Sequence, residues 1–243
     1  MLRTGPLFTL LIVLLSASSY AGTPLKPYKG IYHTTYDMGF TIDVKAERTL
    51  KQDDDGNWTL DFRAEKWFAK ISQTSKFQLS DSGLIQPLLY RRYQQVFGEE
   101  KDKSVSFDWS KMRVTNNIAE KPWKMSVEEG TQDLLSYQLK LRYDLLNNPE
   151  QTEFRYQVAD GGKIKHYLFR VVGKEILDTP MGKLNTVKVE SLRRSKKDVE
   201  HLIWMASDWD NLLLRVEPVR KKHKEKPVVL LEARLDGQKV TGL

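Results

Sequence analysis

"HLIWMASDWDNLLLRVEPVRKKHKEKPVVLLEARL", His201–Leu235, is the stretch on which the fold turns. Its first ten residues hold two tryptophans, two aspartates and a histidine. That is raw material for a catalytic cluster or for a sheet turning a corner. Leu202, Trp204 and Ala206 alternate with Ile203 and Met205, so His201–Ala206 reads as a strand that is apolar on both faces. Ser207–Asn211 is polar, and its Asp and Asn side chains favour turns. Leu212–Val219 reads as the return strand, and Pro227–Leu235 as a further one with Val229, Leu231, Ala233 and Leu235 on one face. Asp208 and Asp210 are then turn residues.

The same period of two runs outward in both directions. Tyr28, Gly30, Tyr32 and Tyr36 share one face, and so do Trp58, Leu60, Phe62 and Ala64. Val105, Phe107 and Trp109 follow the pattern, as do Phe154, Tyr156 and Val158. Half-buried alternation of this kind belongs to antiparallel sheets with one wet face. Asp53–Asn57, Ala159–Gly162 and Asp178–Lys183 carry the Asp and Gly of tight turns. The expected fold is mainly β: a large curved antiparallel meander of about 11–12 strands, an open barrel or half-barrel. No linker or repeat divides it, so residues 22–243 read as a single β-rich domain.

One segment departs from the period. Leu134, Leu135, Leu139, Tyr143 and Leu146 follow helical spacing, which predicts one α-helix near 131–147. Thr131 is its expected N-cap, Asp133 sits in its first turn, and Asn147, Asn148 and Pro149 stop it. Such a helix either closes the core or lies as a lid over a hollow in the curved sheet.

The N-terminus predicts export. Arg3, the apolar run Leu7–Leu15 and the small residues Ser19 and Ala21 have the order of a secretory signal peptide over 1–21, cleaved after Ala21. Beyond this run no stretch approaches the roughly 20 apolar residues of a transmembrane helix. The chain has no cysteine, which excludes disulfides, thiolate catalysis and a lipid-bearing cysteine at the cleavage point. The expected location is periplasmic.

Net charge is +7, and the pI near 9.3 points to anionic envelope partners rather than nucleic acid. The charge gathers at two expected corners. One is "RRSKK", with Arg193, Arg194, Lys196 and Lys197; the other begins at Arg220, Lys221 and Lys222. Alternate turns of a meander share an end, so these corners and Lys163 are expected on one rim. That rim serves either as an anion-binding surface or as a guard that blunts the sheet edge.

"IWMASDWDNLLLRVE" resembles a hallmark of a bacterial exported family, the domain of unknown function DUF3108. The resemblance extends through "DSGLIQPLLY" from Asp81, "QDLLSYQLKLR" from Gln132 and "KHYLFRVVGKEILDTPMGKLNTVKVE" from Lys165. It implies a β-rich exported protein and brings no catalytic residues. A looser, fold-level likeness is to lipoprotein-carrier half-barrels, which shelter acyl chains.

Chemical signatures are sparse. His33, His166, His201 and His223 lack metal-ligand spacing, and no nucleophile elbow, P-loop or dinucleotide fingerprint occurs. Neither cofactor nor metal is expected. Trp67 and Phe68 break the alternation of their strand, which suggests a bulge, an edge, or an aromatic cleft with Trp109 and Trp123 as further candidates. The reading that results is a non-enzymatic periplasmic protein binding an anionic or lipidic envelope component. The alternatives are an assembly module working through a sheet edge and, less favoured, an envelope hydrolase.

Overall fold

A computed structural model describes residues 25–37, 41–117, 122–192, 199–219 and 226–242. The signal-peptide expectation therefore lies outside the described residues. The first half of the chain forms β1 (Tyr28–Asp37), β2 (Thr41–Gln52), β3 (Trp58–Lys66), β4 (Ala69–Leu79), β5 (Ile85–Val96), β6 (Glu99–Asp108), β7 (Arg113–Asn116) and β8 (Lys124–Ser126). After helix α1 (Ser136–Asn147) come β9 (Glu153–Asp160), β10 (Lys163–Thr179), β11 (Gly182–Leu192), β12 (Val199–Ala206), β13 (Leu212–Pro218), β14 (Val228–Leu235) and the short β15 (Gln238–Lys239).

All the ladders join into one curved antiparallel sheet, β8-β7-β6-β5-β4-β3-β2-β1-β14-β13-β12-β11-β10-β9, with β15 on β14. The fifteen strands among the described residues exceed the expected eleven or twelve partly because β7, β8 and β15 are only two to four residues long. Elements so short carry too few alternations to show in a sequence. The edge strands β8 and β9 do not pair with each other, so the barrel is open. Residues between β8 and α1 strap the gap. Gln132 N–H donates to Gln157 O at 2.8 Å, and Ala159 N–H donates to Gln132 O at 2.9 Å.

The turns follow their chemistry. Phe97–Gly98 and Asp236–Gly237 each place two successive residues at positive φ, the geometry that matches the twist of a two-residue hairpin, and Asp210–Asn211 does the same at the end of the five-residue connection Ser207–Asn211. The opening stretch is accordingly the hairpin β12–β13, with Asp210 and Asn211 at its corner. β14 corrects one detail. Leu230, Ala233 and Leu235 are the buried residues, not the expected Val229–Leu231–Ala233–Leu235 row. A bulge opposite Ile31 and Tyr32 shifts the register and reverses the facing of the residues before it.

The helix differs more. It begins at Ser136, because Gln132 spends its backbone on the strap and Asp133 becomes the cap, accepting from the amides of Leu135 (2.7 Å) and Ser136 (2.8 Å). No residue of α1 is exposed. Leu139 and Tyr143 pack into the cluster around Tyr28, Tyr32, Leu50 and Leu60, while Leu141 and Leu145 pack with Phe154, Phe169 and Met205. The helix thus fills the concave side of the sheet. A surface lid would keep one wet face, and α1 has none.

Candidate functional site

Where α1 fails to meet the β10–β13 wall, a cavity of about 290 Å³ remains. Tyr137, Leu139 and Leu141 form its helix side, and Phe169, Ile203, Met205, Leu213 and Val216 its sheet side. Its deep end is closed by Tyr28, Leu212, Arg48 and Arg142, all buried. Tyr167, Ser191, Glu200 and His201 are half-buried and line the opening. His201 Nδ1 and Ser191 Oγ lie 3.3 Å apart across neighbouring strands.

Arg48 reaches the interior because β2 alternates Ala46, Arg48 and Leu50 onto its inner face, putting an arginine in an otherwise apolar row. Its Nη1 donates to Gln138 Oε1 at 2.9 Å, and its Nε is buried with no protein partner. Arg142, at mid-helix between Leu141 and Tyr143, stacks over the Tyr28 ring with its guanidinium carbon 4.9 Å from the centroid. Its Nε donates to Asp210 O at 2.8 Å, while Nη1 has no protein partner. Burial, reinforced by the nearby charge of Arg48, pushes the Arg142 guanidinium below its ordinary range; Tyr28, Asp210 and Tyr32 partly offset this. The Asp210 carboxylate is itself paired with Lys26 at 3.0 Å. Asp208 accepts from Asn185 Nδ2 at 2.7 Å, so each aspartate of the β12–β13 corner serves the turn or a neighbour.

Neither arginine was singled out by sequence reasoning. A legible signal existed for Arg48, namely its parity with Ala46 and Leu50. Arg142 offered none, because a charged residue on a helix is ordinarily a solvated one.

The aromatic candidates do not meet in one cleft. Trp67 and Phe68 are the two-residue turn between β3 and β4, with Trp67 87 % exposed. They cluster with Phe97 of the β5–β6 turn, Phe68 stacking on Phe97 at 5.4 Å. Trp109 lies at the opposite end of β6, on the order of 30 Å away along the strand. It stacks on Phe107 at 5.6 Å and donates Nε1–H to Pro87 O at 2.7 Å. Trp123 packs with Phe107, Val114, Val127 and Ala159, where the sheet's two edges face each other.

Lys163 is exposed at the start of β10. Arg193, Arg194, Lys196, Lys197, Arg220, Lys221 and Lys222 lie outside the described residues. The strand ends on either side of them share one end of the sheet: Leu192 pairs with Val199, His201 with Pro218, and Val216 with Val228. The β3–β4 and β5–β6 turns lie at that end too, by the continuous antiparallel order. Among the described residues no group of three His, Asp or Glu could hold a metal ion, and no helix is long and apolar enough to cross a membrane.

An open antiparallel barrel plugged by one helix, with a charged cavity beside the plug, is the class of protein that these features define. The chain belongs to the DUF3108 family, described as "Protein of unknown function", whose match spans residues 31–222. No curated protein matches it. Among solved structures it is similar to a β-barrel-like protein of the domain of unknown function DUF1849 from Brucella abortus, at 12 % identity and TM-score 0.56, over 88 % of this chain and 99 % of that one. A DUF1329 family protein from Desulfovibrio piger also matches, at 12 % identity and TM-score 0.33, over 88 % and 87 % of the two chains. The first likeness supports the fold; the second carries no weight.

Proposed function

We propose that this chain is an exported, non-enzymatic binding protein of the cell envelope that shelters a lipidic, anionic component between α1 and the β10–β13 wall. The observation that carries this reading is the cavity itself: a mostly apolar chamber between α1 and the sheet wall, bordered by the two main core clusters. A largely pre-formed apolar pocket with a few convergent polar groups is the ordinary form of a small-molecule site. Ser191 Oγ and His201 Nδ1, 3.3 Å apart, stand at the half-buried opening and not among the buried groups of the deep end.

Two further features support the reading. The cavity opens toward the end of the sheet where the strands flanking the two basic corners terminate. Trp67 and Phe97, 87 % and 61 % exposed, stand at that same end. Aromatic side chains of this kind favour the boundary between headgroups and acyl chains. In this proposal the corners Arg193–Lys197 and Arg220–Lys222, with Lys163, form an anion-facing rim of a periplasmic protein.

Native mass spectrometry of the protein purified from the periplasm tests the proposal. A stoichiometric lipid mass that disappears on organic extraction is the expected result. A bare protein mass, together with no binding of an environment-sensitive acyl probe, would overturn it. Recovery of a protein partner without lipid would favour the assembly-module alternative.

A further inference from the structure

The two buried arginines make the cavity more specific than an apolar chamber. Arg142 and Arg48 are 5 % and 7 % exposed. A guanidinium does not deprotonate in a protein, so both remain charged. Burying a charge without a counter-charge is strongly unfavourable, and buried charges are ordinarily paired. Here both arginines find neutral acceptors instead, Gln138 Oε1 and Asp210 O. Arg48 Nε and Arg142 Nη1 are left over, buried and without a protein partner. Tyr28 gives Arg142 a π-face and nothing more.

The carboxylates nearby do not close the account. Asp210 offsets part of the Arg142 charge but shares its carboxylate with Lys26, and Glu200 stands half-buried at the opposite, open end of the cavity with an interaction of its own. The deep end thus holds two positive charges that nearby groups compensate only in part. A core position under no functional demand would be better served by leucine or methionine.

We infer that the cavity binds a single-chain amphiphile whose one anionic group, a carboxylate or a phosphate, sits between Arg48 and Arg142. This deepens the carrier reading and rests on it. Guanidinium forks match the oxygens of either group, and each charge-assisted bond strengthens in an apolar surround. Volume sets the chain count. At about 290 Å³ the chamber lies at the small end of ligand pockets, which favours one acyl chain over a diacyl lipid. The tail would run along Leu139, Phe169, Met205 and Val216 toward the opening.

The test titrates the purified mature chain, stripped of lipid, with dodecanoate, dodecyl phosphate and dodecanol at neutral pH and low salt. Wild type is expected to bind at least one of the two anions about tenfold or more tighter than the alcohol, about 1.4 kcal/mol. The better of the two identifies the headgroup. Arg48→Gln and Arg142→Gln should each lose that preference while keeping the affinity for dodecanol. Arg48→Lys and Arg142→Lys keep the charge and lose the fork, so partial retention is expected if a Gln variant fails to fold. If wild type binds alcohol and anions equally, the arginine inference is overturned and the carrier reading stands. If it binds none of the three, both are overturned. The wild-type series decides this without any variant.

Discussion

Ser75 Oγ donates to Asp133 Oδ2 across 2.6 Å, pinning the middle of β4 to the residue that caps α1. Both side chains are fully buried. With the amides of Leu135 and Ser136 on Oδ1, the carboxylate accepts three hydrogen bonds, and the helix cannot shift without breaking them. Because α1 forms one side of the cavity, the cap also positions Arg142.

Replacing this cap separates its charge from its hydrogen bonds. Asp133→Ala leaves two amides and a hydroxyl without an acceptor, and should cost about 3 kcal/mol. Asp133→Asn can keep its oxygen toward the amides and offer its amide to Ser75 Oγ, so it should fall within about 1 kcal/mol of wild type. Burial pushes the Asp133 carboxyl above its ordinary 3.8, so the native state holds the proton more tightly than the unfolded chain does. The contribution of this group to stability is therefore full below the unfolded value and declines as pH rises through the higher native value. Wild type should gain on Asp133→Asn as pH is lowered toward 3.8. Urea midpoints compared at matched m-values check both points; a pH-independent difference would refute the second.

Glycine at position 83 is required for a different reason. Its φ is +78°, and a Cβ there would stand 2.7 Å from the Tyr143 hydroxyl. Gly83→Ala should lose about 2 kcal/mol, from the left-handed backbone and from displacement of an aromatic residue of α1. Tyr143→Phe in the same background should recover part of that loss, since the hydroxyl is the nearest atom. A double-mutant cycle measures the coupling.

Two aromatic residues should behave in opposite ways. Phe77 is fully buried and stacks on Trp58 with centroids 6.5 Å apart. Phe77→Ala should cost about 3–5 kcal/mol. Trp67→Ala should change stability by less than about 0.5 kcal/mol, because Trp67 lies at a turn tip and is 87 % exposed. Thermal unfolding of the two variants decides this. A large loss at Trp67 would mean that the tip cluster is structural and not a free surface.

What could be read beforehand was whatever local patterning controls. The β12–β13 hairpin was legible because strand alternation and turn chemistry agree over Val199–Pro218. The start of α1 was not, because the backbone of Gln132 pairs with β9, some 25 residues further along the chain. Trp67–Phe68 escaped as a turn because neither residue carries a turn signal. Basic runs stand out as candidate anion sites, whereas the two arginines of the cavity stand singly, Arg48 between Ala46 and Leu50 on its strand face and Arg142 between Leu141 and Tyr143. Strand parity marks Arg48, but only packing distinguishes Arg142 from a solvated arginine.

The basic corners are the last element to test, since two accounts of them diverge. If they meet an anionic surface, the quadruple variant Lys196→Glu, Lys197→Glu, Lys221→Glu and Lys222→Glu should lose binding to vesicles rich in anionic lipid. Neutral vesicles should then distinguish the proteins little. Wild-type binding should fall steeply with added salt, as the screening length shortens from about 10 Å at 0.1 M to about 3 Å at 1 M. If the corners only guard the sheet from self-association, the same variant should bind vesicles like wild type. The charges then matter only for solubility, and light scattering would show the variant associating with itself. Dodecanoate binding provides the internal control. The strands that flank the substituted corners end toward the opening of the cavity and not at its deep end, so the variant should retain that affinity even where vesicle binding is lost. A protein that loses both has lost its fold, which circular dichroism detects independently.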